Sequence, residues 1–172
     1  MLTGKTSNSA YTLDDLDLLN YLGASTAVAF ENARLYAHSL EEAITDNLTK
    51  LRNQRYFYKV MAEQMEQIGS AEFSLLMLDL DSFKLYNDLF GHIEGDRALE
   101  IIAKIMTGIV GHKGDVCRYG GEEFTVMLPY HDSKRAFDIA ETIRKDIQSY
   151  FFNLDDVTQR FLTVSIGICT YP

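Results

Sequence analysis

The sequence predicts an α+β fold, a mixed sheet with helices on one or both faces, standing behind a long N-terminal helix. Three observations carry this. From about residue 46 onward helical and strand-like patterns alternate, and one of the strand pairs is a hairpin. The largely apolar run from Phe73 to Leu80 has the length and composition of a central strand buried on both faces. The third is Gly120-Gly121, set between the strand-like flanks Asp115 to Arg118 and Phe124 to Leu128. Adjacent glycines take positive φ without a Cβ clash, so this pair reads as a hairpin turn that carries Glu122 and Glu123 with it.

The elements follow in order. Residues 1–12 are polar and aperiodic. Thr12, with Asp14 and Asp15 behind it, is a capped, acidic helix start. Leu19, Leu22, Thr26, Ala29, Ala33, Tyr36, Leu40 and Ala43 then recur at spacings of three and four, a coiled-coil seam rich in small residues that spans a connector over 13–45. The alternative is an amphipathic helix lying on its own domain. A helix over 53–68 would bury Phe57, Val60, Met61, Met65 and Ile68 and stop at Gly69. After the strand at 73–80 comes a short helix over 82–90, closed by Gly91. A longer one over 94–109 buries Leu99, Ile102, Ile105, Met106 and Ile109. Ser133 is expected to cap a helix whose inner face is Ala136, Ala140, Ile143 and Ile147, and the last strand runs from Phe161 to Thr170.

Composition narrows the function. A chain of 172 residues, 47% hydrophobic and 24% charged, is a domain of ordinary size plus an appendage. A net charge of −9 argues against a nucleic-acid surface, but a metal can still bring a nucleotide to an acidic protein. Cys117 and Cys169 fall on expected strands as small buried residues, which suits a reduced, cytoplasmic chain. No apolar run reaches membrane-spanning length and no signal peptide is evident.

The chemistry lies in the acids. Asp79 and Asp81 end the apolar strand, two residues apart and so on one side of it. Carboxylates near a core are costly without a partner, and that strand contains no Arg or Lys. A divalent cation, shared with the acids of the hairpin turn, is one economical partner. Taken alone, Gly-Gly-Glu-Glu reads better as a pair of solvated loop acids.

Four ordered motifs carry a resemblance. Arg118-Tyr119-Gly120-Gly121-Glu122-Glu123-Phe124 resembles the signature of GGDEF domains, the bacterial diguanylate cyclases, in its Gly-Gly-Glu-Glu-Phe variant. Asp46-Asn47-Leu48-Thr49-Lys50-Leu51-Arg52-Asn53 resembles the family's opening motif, with Lys50 in place of the usual glycine. Leu78 to Lys84, Asn87-Asp88 and Gly91 to Asp96 resemble its central block, and Val164 to Ile168 its late strand. The match covers 46–172. It implies the nucleotide-cyclase version of the ferredoxin-like fold and condensation of two GTP into cyclic di-GMP by a homodimer. The alternative function is a catalytically impaired nucleotide-binding relay module using the same pocket.

By resemblance, Asp79 and Glu122 hold Mg²⁺ (or Mn²⁺) with the backbone carbonyl of Leu80, and Glu123 is the second acid at the reacting centre. Phe83 and Lys84 open a helix whose N–H groups meet phosphate, although Lys84 by itself is equally a solvated helix residue. Asn87 and Asp96 match the guanine-reading pair, with a helix N-cap as the other reading of Asp96. Gly120 and Gly121 admit the nucleotide. Asp81, His92 and Arg118 are expected to be structural, Arg118 as an ion-pair partner within the fold. Tyr11 to Leu19 and Ala27 to Tyr36 resemble the end of a GAF sensor domain, so residues 1–12 are expected to be its remnant and the helix its signalling connector. Two departures stand out: the family's C-terminal helix with Lys-x-x-Gly-Arg-Asn is not found before Pro172, so the domain is expected to be truncated. Gly111-His112-Lys113-Gly114 stands where an inhibitory Arg-x-x-Asp would, which predicts a surface turn and weak product inhibition.

Overall fold

The computed structural model describes residues 12–67, 72–150 and 162–172, and the chain divides into two units, Met1–Glu41 and Glu42–Pro172. All but Thr12 of the remnant expected at residues 1–12, the helix end at Ile68 and Gly69 and the strand start at Phe161 lie outside the described residues.

The first unit is carried by α1 (Leu13–Ala43), whose last residues belong to the second. Its start is the capped one expected. The Asp15 N–H donates to Thr12 Oγ1 at 3.2 Å and the Thr12 N–H donates to the Asp15 carboxylate at 2.8 Å, a reciprocal capping box. None of the residues of α1 is buried, and Leu22, Tyr36 and Leu40 stand exposed.

The second unit runs β1 (Arg52–Asn53), α2 (Gln54–Gln67), β2 (Phe73–Leu80), α3 (Phe83–Phe90), α4 (His92–Val110), a 3₁₀ turn at Gly111–Lys113, β3 (Asp115–Arg118), β4 (Glu123–Pro129), α5 (Ser133–Ser149) and β5 (Val164–Tyr171). The sheet order is β1-β3-β4-β2-β5. β2 is antiparallel to both neighbours, β3 and β4 form the expected hairpin, and β1 adds a parallel edge through Arg52 opposite Cys117. The mixed sheet flanked by helices is the fold class expected.

Period-two alternation divides the sheet into unlike faces. Leu76, Leu78, Leu80, Val116, Phe124, Val126, Leu128 and Val164 form one core with α3, α4 and α5. On the other face α2 brings Phe57 onto Cys117 and Met127, with Leu75 and Tyr119 at the margin. β2 is therefore central, as expected, but it is not buried on both faces, because α2 covers only part of the second one. Met77 and Asp79 are exposed there.

Other expectations are corrected. Met65 faces solvent, and Asn53 belongs to β1 instead of opening the helix. The cap of α5 is Asp132, whose carboxylate accepts from the Arg135 N–H at 2.7 Å; its negative charge suits the helix N-terminus better than the Ser133 hydroxyl. Cys169 is exposed because it alternates onto the face that α2 only partly covers, opposite Leu75, while Ile166 and Ile168 of the same strand pack on the core. Cys117 is buried, and that burial pushes its thiol up to about 12, with the Thr125 hydrogen bond opposing.

Candidate functional site

The site residues gather where β2 ends against the hairpin loop. Asp79 pairs in register with Glu123 on β4 and Ser165 on β5, and the Leu80 N–H donates to the Glu122 carbonyl at 3.3 Å. Strand pairing alone thus brings Asp79, Leu80, Glu122 and Glu123 together. Only Glu122 rides on the loop. Glu123 is the first residue of β4, and its carbonyl accepts from the N–H groups of Tyr119 (2.8 Å) and Gly120 (3.2 Å). Neither loop glycine takes positive φ, contrary to expectation; the bend runs through Gly120, Gly121 and Glu122, and strand resumes at Glu123. Gly120 serves close approach instead, because a Cβ there would meet the Glu123 carboxylate.

Asp79 is exposed, so the expected cost of a carboxylate in the core does not arise. The electrostatic problem is a different one. Two carboxylates directly opposite each other on an antiparallel pair, Asp79 and Glu123, repel. A cation relieves that repulsion. All the donors are oxygens, which fits Mg²⁺ or Mn²⁺. Among the described residues no three His, Cys, Asp or Glu side chains converge on one point. The set that the resemblance implies, two carboxylates and a carbonyl, would be an incomplete shell of the kind that phosphate oxygens and water fill.

Asp81 has a different fate. It lies one residue beyond β2 and accepts from the hydroxyls of Thr163 and Ser165, both at 2.6 Å, which makes it the structural acid expected.

After Asp81, Ser82 turns the chain in the left-handed region (φ 57°) and α3 begins without a side-chain cap. Phe83 is buried and stacked on Tyr86 with centroids 6.1 Å apart, so its backbone N–H is what it can offer a ligand. Lys84 is exposed and, among the described residues, makes no ion pair. Asn87 and Asp96 come from different helices. The Asn87 side chain leans on Gly95, the neighbour of Asp96. Asp96 is exposed in the second turn of α4, which begins at His92, so the N-cap reading of Asp96 falls and Gly91 (φ 85°) makes the junction. His92 is exposed at the first position of α4.

The loop is braced by residues that sequence reasoning located only in part. Arg118 is the internal ion-pair partner expected, and its partner is Asp46, at 3.1 and 3.3 Å from Nη1. Its Nε and Nη2 donate to the Gly121 carbonyl at 3.3 and 2.8 Å. Asp46 also accepts from the Thr49 N–H (2.8 Å) and hydroxyl (2.6 Å). Partial burial pushes the Asp46 carboxyl up, but the Thr49 hydrogen bonds and the Arg118 guanidinium outweigh it and hold the group below the usual carboxylate range. On the other side, Tyr119 meets Phe57 edge-to-face at 5.5 Å, and its hydroxyl lies 2.6 Å from that of Tyr58. The pattern Asp-x-x-Thr announces a side-chain-to-backbone turn at residue 46. Nothing local announces Arg118 or Tyr119 as partners of residues some sixty or seventy positions earlier.

At 111–114 the chain makes the surface turn expected. Its His112 and Lys113 are exposed, and the Lys113 ammonium is engaged, donating to the Ile109 carbonyl at 3.0 Å.

Known proteins resemble this chain in sequence and fold. Diguanylate cyclase A of Treponema denticola is 33% identical over 178 residues, spanning 99% of this chain and 47% of its own length. The response regulator PleD of Caulobacter vibrioides is 38% identical over 134 residues, 76% of this chain and 30% of its own. The chain therefore spans half or less of the curated relatives it matches. Among solved structures, the coiled coil and GGDEF domain of DgcB from Caulobacter crescentus, in complex with c-di-GMP, superposes with a TM-score of 0.81 at 27% identity, covering 90% of this chain and 83% of that one. The active GGEEF domain of a diguanylate cyclase from Vibrio cholerae superposes with a TM-score of 0.64 at 28% identity, covering 71% and 78%. Residues 43–172 match the family described as diguanylate cyclase, GGDEF domain, and the chain belongs to that family.

Proposed function

We propose that the chain is the catalytic part of a diguanylate cyclase, joining two GTP into cyclic di-GMP with release of two pyrophosphates. The observation that carries this is the register that sets Asp79 opposite Glu123 while the Leu80 N–H holds the Glu122 carbonyl, beside the uncapped start of α3. In each of two transfers a ribose 3′-oxygen attacks the α-phosphorus of the other nucleotide. The bond to the β-phosphate breaks and the 3′-hydroxyl proton is lost. Mg²⁺ or Mn²⁺, when bound, neutralises phosphate charge and activates the attacking oxygen. Asp79, Glu122 and the Leu80 carbonyl would hold it. Glu123 stands as the group to receive the proton, Phe83 and Lys84 face the phosphates, and Asn87 and Asp96 read guanine, with Gly120 and Gly121 leaving room for the nucleotide.

Since each domain presents half of such a reaction, the working form is a homodimer. Leu22 and Leu40 on α1, exposed in the single chain, are the seam that a second copy covers. Thus α1 is the connector by which a preceding GAF sensor, whose end residues 1–12 represent, regulates a cytoplasmic GGDEF domain over 46–172.

The test is to incubate the protein with GTP and Mg²⁺ and identify the product by mass. Asp79→Asn and Glu122→Gln should each abolish turnover while the melting temperature stays near that of the parent. Near-normal rates in either would remove the ligand assignment, and GTP binding without product would make the chain a relay module. Replacing Leu22 and Leu40 together by glutamate should turn a sedimenting dimer into a monomer; an unchanged dimer would place the interface elsewhere.

A further inference from the structure

We propose that Gly95 is a positioning residue for base selection: its missing side chain is the seat in which the Asn87 carboxamide rests. The inference deepens the reading of Asn87 and Asp96 as guanine contacts and depends on it.

Gly95 is buried within α4, and its N–H donates to the Gly91 carbonyl at 3.1 Å. Its φ lies outside the left-handed region, so the backbone does not require glycine there. Glycine in a helix interior weakens the helix, and something else must repay that. The neighbouring side chain supplies the reason. A Cβ at this position would collide with Asn87 Oδ1 and crowd its Cγ. That same Oδ1 is buried and, among the described residues, finds no hydrogen-bond partner. No bond to Oδ1 therefore fixes that end of the amide; the shape of its seat does, so filling the seat reorients it. The obstructing atoms are the end of a short side chain, with no backbone among them, so a methyl at residue 95 displaces the amide and spares the helix. Gly108, in the same helix, provides the contrast, because a Cβ there meets nothing.

The experiment measures binding of the α,β-methylene analogues of GTP and ATP, with Mg²⁺, by calorimetry, alongside thermal melting. Gly95→Ala and Gly108→Ala should both raise the melting temperature, since alanine favours helix. Gly95→Ala alone should weaken the guanine analogue on the order of tenfold, the worth of one displaced hydrogen-bonding group, with the adenine analogue little changed. In an Asn87→Ala background the same substitution should have no further effect. Undiminished guanine preference in Gly95→Ala, or an effect that persists without Asn87, overturns the proposal. A parent protein that holds both analogues alike overturns the guanine reading and the proposal with it. Should Gly95→Ala fail to fold, the double variant Asn87→Ala/Gly95→Ala decides: recovery of the fold supports the seat, and continued failure shows that residue 95 answers to the backbone.

Discussion

The two faces of the central sheet obey the same alternation and do opposite things. On the helical face Leu76, Leu78, Phe124 and Val126 are sealed beneath α3, α4 and α5. On the other, one short helix covers the β3–β4 side, and β2 shows Met77 and Asp79 to solvent. The sealed face holds the fold, and the open one leaves a carboxylate free for a ligand. A strand that is apolar but for the satisfied Ser74 until Asp79 can serve both because its only exposed charge sits near the end.

This contrast can be broken deliberately. Leu78→Ala on the sealed face should cost about 2–5 kcal/mol, and Met77→Ala, its neighbour on the open face, under about 1 kcal/mol, by urea unfolding. Equal losses would mean that the open face is covered.

Asp46 lies between these extremes. Asp46→Asn removes a charge-assisted contact to Arg118 and should cost about 2 kcal/mol near neutrality. Its carboxyl is held below the unfolded value, so its contribution is present above the ordinary aspartate pKa near ~3.9 and disappears as pH falls through the depressed folded one. Stability curves of parent and variant should converge in acid; parallel curves would show that the ionised form of Asp46 is not what matters.

A small gain in place of a loss is expected at Lys50, which sits at φ 60° in the left-handed region. Lys50→Gly should add about 1 kcal/mol by relieving the left-handed penalty, less glycine's greater entropy loss. A loss of stability would mean that the lysine side chain contributes more than its backbone costs.

What the sequence made legible was whatever depends on local order. The run Phe73 to Leu80 fell on β2 residue for residue, and the inner faces of α4 and α5 followed from spacing. Asp79, Glu122 and Glu123 stood out as candidates because an acid at a strand end or a tight turn is locally conspicuous. What spacing could not supply was three-dimensional partnership. Asp79 and Asp81 look equivalent in the sequence, yet only the chain's return as β5 brings the two hydroxyls that occupy Asp81. The two-residue β1 was missed because an edge this short has no period to detect, and Cys169 was misplaced because the cover over each face of the sheet, which no strand carries alone, decides exposure.

Arg118 is a place where planarity matters more than charge. Its guanidinium meets a carboxylate through Nη1 and a peptide carbonyl through Nε and Nη2, so one rigid fork joins the turn at Asp46 to the backbone of Gly121, beside Glu122. Lysine would bring the same charge on a single rotating nitrogen that cannot span both groups in this geometry. An arginine-to-lysine exchange that looks mild on paper would therefore uncouple the two segments, leaving the hairpin loop tethered to one neighbour instead of two.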